Sequence, residues 1–195
     1  MRFILGTPPK GGSPAIKCYP LGLDYADIHL KGSILGTLAL MPIGYLWWSL
    51  FWPLKELNYG FSNGPLYFFS LMAITLISHE LCHVIAFPGM GLGSSTCIGF
   101  DPKSAVPYAS YLGIVSRNRF LLAVANPLIA LTVAPFFFAL IYPAFAKHFV
   151  WISIINLMGA AGDMFIFIKV LQKVPKTWFI QGESFGPLHI EKGKK

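Results

Sequence analysis

Four stretches of the chain stay apolar long enough to cross a hydrocarbon core, which takes about 20 helical residues. They run from Ile34 to Trp52, Pro65 to Phe87, Phe120 to Tyr142 and Phe149 to Val170. Short polar or Pro- and Gly-broken linkers, Pro53 to Gly64 and Pro143 to His148, separate the first pair and the last pair, and a long one covers Pro88 to Arg119. The pattern predicts an all-α membrane protein of four transmembrane helices. An amino-terminal tail spans 1–33, the four-helix domain 34–170 and a carboxy-terminal tail 171–195. In the long linker, Gly89, Gly91, Gly93 and Gly99 accompany the run Thr96 to Phe100, and the turn-like Asp101-Pro102-Lys103-Ser104 leads into Ala105 to Tyr111. This predicts a β-hairpin-like loop between the second and third helices, and Thr177 to Gly182 with Phe185 to Glu191 predicts another hairpin in the tail.

Composition agrees with a membrane location. Of 195 residues 55% are hydrophobic and 12% charged, half the roughly 25% charged residues of an ordinary globular domain. Met1 to Gly6 offers only Phe3, Ile4 and Leu5 as an apolar run, so the first long segment is expected to stay in the bilayer. Thirteen basic residues fall in the amino-terminal tail, the long linker and the stretch from Lys169 onward, against Lys55 and Lys147 on the other side. The positive-inside rule then puts both termini, and the hairpin loop, in the cytoplasm. A short polytopic chain of this kind fits a prokaryotic plasma membrane. The net charge of +7 does not signal nucleic acid, because the basic residues are not interleaved with stacking aromatics on a polar face. Three cysteines, Cys18, Cys82 and Cys97, form no disulfide framework.

The second apolar segment contains His79, Glu80, Leu81, Cys82 and His83, the pattern His-Glu-x-x-His. Helical positions i and i+4 share a face, so two imidazoles can hold one Zn²⁺ while Glu80 serves as general base toward a water on the metal. Charged residues at a membrane helix centre cost roughly 2.5 to 3.5 kcal/mol each, so such a cluster needs a compensating role. Cys82 reads as apolar filler within it.

A third ligand follows from depth. His79 lies fourteen residues past Pro65, and Asp163 fourteen past Phe149. With both segments running inward, each residue sits about 21 Å along its helix. Asp163 is the only carboxylate of the fourth segment, and Gly159, Ala160, Ala161 and Gly162 beside it allow close helix approach. Glu183 is the competing carboxylate, but it lies beyond the last segment. Asn156 and Asn126 are candidate oxyanion or substrate-positioning residues; each can equally satisfy a backbone carbonyl or bond across helices.

His79-Glu80-x-x-His83 followed by Asn156-x-x-Gly159-x-x-Gly162-Asp163 resembles the intramembrane zinc proteases of the site-2 protease kind. More closely, the chain is similar to the putative zincin peptidase family, over roughly Ser70 to Leu171, including Val115-Ser-Arg-Asn-Arg-Phe-Leu-Leu and Asn126-Pro127. The site-2 triplet Leu-Asp-Gly is replaced by Gly162-Asp163-Met164, and no PDZ or CBS segment is present. The resemblance implies a zinc metallopeptidase with one Zn²⁺ per chain, held by His79, His83 and Asp163, that cuts membrane-protein or peptide substrates in or beside the bilayer. An edge of the hairpin loop could hold an unwound substrate by strand addition. The rival reading is a metal-ion transporter or a metal-binding protein without peptidase activity. Against transport, the ionisable groups concentrate at one depth instead of lining a path. Assembly into a homo-oligomer is compatible with the sequence.

Overall fold

The computed structural model describes residues 1–7, 9, 18–23, 25–51, 64–102 and 106–187. The expected outer linker up to position 63, the turn residues Lys103, Ser104 and Ala105, and the tail from 188 onward lie outside them.

The chain is not all-α. Among the described residues its helices are accompanied by seven strands in two sheets. In chain order these are β1 (Arg2–Leu5), β2 (Tyr19–Pro20), α1 (Tyr25–Phe51), α2 (Pro65–Ala86), β3 (Thr96–Asp101), β4 (Val106–Tyr111), β5 (Val115–Ser116), α3 (Arg117–Leu128), a π-helical turn (Ile129–Val133), α4 (Ala134–Ile141), α5 (Ala146–Gly159), α6 (Ala161–Lys173), β6 (Phe179–Gln181) and β7 (Ser184–Gly186). The expected loop hairpin is β3–β4, antiparallel from Thr96↔Tyr111 to Asp101↔Val106. Its far edge is extended by β1, parallel to β3. The tail hairpin, β6–β7, is sandwiched in a second sheet between β5 and β2. Both amino-terminal strands therefore pair with the loop or the tail hairpin, which ties the described parts of both tails and the long linker to the same end of the helices.

Four spans are also not what the helices provide. Among the described residues two helices are long and apolar enough to cross a membrane: α2, and the rod Arg117–Ile141 formed by α3, the π turn and α4. A third is reached only if α5 and α6 count as one span, and these are bent by 54° at their junction. The fourth expected segment breaks just after Gly159, a poor helix residue. The helix over the first expected segment, α1, starts nine residues early, in the polar stretch before Ile34, and carries Pro42.

Local signals explain the ends that matter for the site. Pro65 occupies the first turn of α2, where its missing N–H costs nothing. Phe87, held extended by Pro88, stops it. Ser116 caps α3, its Oγ accepting from the Arg119 N–H at 3.4 Å. α2 is inverted relative to a soluble helix. It buries Thr75, His79 and His83 while exposing Leu66, Phe69, Ile74, Ile77, Leu81 and Ile85. Its last turn, Val84, Ala86 and Phe87, packs with Ala123 of α3 and with Ile98, Ala109 and Tyr111 of the first sheet. That contact sets β4 directly beside the His-Glu-x-x-His turn.

The small residues around Asp163 do permit a close helix approach, and the partner is α1. A Cβ on Gly36 would stand 2.8 Å from Ala161 Cβ, and one on Gly32 3.1 Å from Ala161 O and Gly162 Cα. α1 thus clamps the first turn of α6, the turn that carries Asp163.

Candidate metal centre

His79 and His83, one turn apart on α2, bring their rings to a centroid separation of 4.9 Å, nearly perpendicular at 82°. Asp163 reaches them from the first turn of α6, just past the bend. Its Oδ2 lies 3.0 Å from His79 Nε2 and 3.3 Å from His83 Nε2. Among the described residues this is the one group of three or more His, Cys, Asp or Glu side chains close enough to share an ion.

The other nitrogen of each ring is engaged. His83 Nδ1 is 2.8 Å from the carbonyl of Ala123. A carbonyl only accepts, so the ring donates from Nδ1. His79 Nδ1 is 2.9 Å from Asn156 Oδ1. The orientation of that amide is fixed because its Nδ2 donates to Pro127 O at 3.0 Å and to Thr132 Oγ1 at 2.9 Å. His79 therefore also donates from Nδ1. In a neutral imidazole the second nitrogen is then a bare lone pair. Two such lone pairs converge on Asp163 Oδ2, which is buried and receives no hydrogen bond.

Three electron-rich atoms facing one another in a buried space need a cation among them. Metal–ligand bonds of 2.0–2.2 Å in a tetrahedral site put ligand atoms roughly 3.3 Å apart, and the observed spacings of 3.0 and 3.3 Å match. Each histidine also carries the second hydrogen bond that such ligands use to fix ring orientation. The residues fit zinc.

Glu80 is half-buried beside the triad, within electrostatic reach of all three groups and close to the backbone of Ala109 in β4. The β4 register explains that contact. The Leu112 N–H donates to Ser95 O, just beyond the last pair of the ladder. Bonded pairs then alternate along it, leaving the backbone groups of Ala109 and Tyr111 pointing away from β3. Among the described residues no further strand pairs with the edge they form.

The two asparagines are spent on architecture. Asn156, fully buried, orients His79 as described. Asn126 donates from Nδ2 to the Cys82 carbonyl at 2.6 Å, pinning α3 to α2. Neither directs its amide N–H at the triad. Glu183 is exposed in the β6–β7 turn, its carbonyl receiving the Leu21 N–H, and is not part of the cluster. Sequence reasoning missed Ala123 O, Pro127, Thr132 and Ala109. The first three had a signal in Asn126-Pro127 within a helix; Ala109 acts through its backbone, which no residue pattern announces.

Two buried imidazoles, one carboxylate and a neighbouring glutamate make up the kind of donor set and base that zinc-dependent hydrolases use. The sequence profile described as putative zincin peptidase matches residues 71–179, more than half of the chain and all four of these residues. The chain belongs to that family. No curated protein matches it, and no solved structure does.

Proposed function

We propose that the chain is a membrane-embedded zinc metallopeptidase, similar to the site-2 proteases, that hydrolyses peptide bonds in or next to the bilayer. The observation that carries this reading is the convergence of His79 Nε2, His83 Nε2 and Asp163 Oδ2 beside Glu80. The inverted burial of α2, polar side inward and Ile or Leu outward, supports a lipid surround. The shared end of the tails and the basic linker supports a cytoplasmic position for both termini.

Zinc, when bound, supplies a Lewis acid and an acidified water. The protein's own groups do the rest. His79, His83 and Asp163 hold the ion, with Asn156 Oδ1 and Ala123 O keeping both rings in the ligating tautomer. The Glu80 carboxylate takes the proton of the attacking water and delivers it to the leaving amide nitrogen, so that one water and one peptide bond become a carboxylate and an amine. The free edge of β4, with the outward backbone groups of Ala109 and Tyr111, receives the substrate as an added strand and lays its scissile bond beside Glu80. A helical segment hides its backbone, so unwinding onto this edge is part of substrate selection.

The test uses detergent-purified full-length chain loaded with zinc and an unstructured, fluorescently labelled protein as substrate. Glu80→Gln should retain its zinc and lose hydrolysis. Equal turnover by wild type and variant would overturn the role of Glu80. Zinc binding with no hydrolysis by the wild type would favour the metal-handling alternative.

A further inference from the structure

We propose that Pro127 is the positioning residue for both ligand imidazoles, an inference that rests on the metal-site reading above. Proline has no N–H, so the carbonyl four residues back loses its helical donor. That carbonyl belongs to Ala123, which is 1% exposed. A buried carbonyl in this state requires another donor, and His83 Nδ1 supplies it at 2.8 Å. A second carbonyl is open beside the same proline. Directly after it the helix widens into the π turn Ile129–Val133, and Pro127 O accepts from Asn156 Nδ2 at 3.0 Å. With its nitrogen held there and on Thr132 Oγ1, Asn156 turns its oxygen to His79 Nδ1.

One interruption of one helix therefore produces both outer hydrogen bonds. The Ala123 carbonyl that Pro127 leaves without a donor fixes His83 directly; the carbonyl Pro127 itself carries fixes His79 through Asn156. Asn126, next in sequence, holds the interrupted stretch against α2 at Cys82. Pro135 stands further along the same rod, in the first turn of α4.

A proline that merely bends the rod would affect stability and leave the metal alone. Cobalt and zinc titrations against a competing chelator, with the full-length chain in detergent, separate the two roles. Pro127→Ala restores an N–H that competes for Ala123 O. It is expected to bind zinc about ten- to hundredfold more weakly, the range for losing outer-sphere partners, with a shifted cobalt ligand-field band, and to unfold no earlier than wild type because proline is unfavourable within a helix. Pro135→Ala should bind as wild type does. Thr132→Val, which releases Asn156 on one side only, should weaken binding in the same direction, and Pro127→Val, which also restores the N–H, decides the matter if Pro127→Ala does not fold. Wild-type affinity and an unchanged cobalt band in Pro127→Ala overturn this proposal while leaving the metal site standing. Absence of any cobalt band in the wild type overturns the metal site itself, and this inference with it.

Discussion

Asp163 Oδ2 lies 3.0 Å from His79 Nε2 across two helices that the chain reaches far apart, one before the β3–β4 hairpin and one past the bend at Gly159-Ala160. No hydrogen bond reaches this buried oxygen. Purified wild type should carry about one zinc per chain, and Asp163→Ala should lose most of it, because two neutral imidazoles leave the ion's charge uncompensated in a buried site. Glu183→Ala should retain full occupancy. Metal content by elemental analysis checks all three, and zinc retained in Asp163→Ala would remove this residue from the ligand set.

Glycine at 36 is required by contact. A Cβ there would stand 2.8 Å from Ala161 Cβ, closer than non-bonded carbons approach. Gly36→Leu must push α1 away from the turn that carries Asp163. Overpacking of this kind costs about 1–3 kcal/mol, and here the displacement also shifts a ligand. Both the thermal midpoint and the zinc occupancy should fall, whereas Gly44→Ala, with nothing within 4 Å, should leave occupancy unchanged.

Much of the site was legible because its chemistry is local. The i, i+4 histidines and their glutamate lie on one helical turn, and Asp163 stood out as the only carboxylate of an apolar segment. The strands of the long linker were legible too, from Thr96 to Phe100 alternating against Ala105 to Tyr111. What escaped was non-local or backbone-borne. Arg2–Leu5 carries no turn signal because its parallel partner is β3, far along the chain. The broken fourth segment kept its apolar composition across the bend, and hydropathy averages over a bend. Asn156 was visible as a polar residue two turns before Asp163, yet its use depends on Pro127 O and Thr132 Oγ1, which belong to another helix.

The loop that carries the chain from α2 to β3 rests on a second glycine. Gly91 has φ +70°, and a Cβ would lie 2.3 Å from Val84 Cγ1 and 2.6 Å from Val84 O. Alanine there faces backbone strain and a collision with the last turn of α2, one residue past His83. Gly91→Ala should lower the unfolding midpoint and weaken zinc binding together. Gly93→Ala, with open space around it, should do neither.

The parity of the β4 ladder gives the sharpest separation of fold from chemistry. The Ser110 N–H faces β3, whereas the Ala109 N–H faces Glu80 and the free edge. Proline at 110 removes a ladder hydrogen bond and should unfold the sheet. Proline at 109 leaves the ladder hydrogen bonds intact, removes an outward donor and adds two carbons beside the last turn of α2. Hydrogen bonds to charged groups contribute about 1.5–3 kcal/mol, which is ten- to hundredfold in rate. Ala109→Pro should therefore keep its zinc and its unfolding midpoint while hydrolysis of the labelled protein drops by that factor. Unchanged hydrolysis would mean that neither Glu80 nor the substrate strand uses this edge.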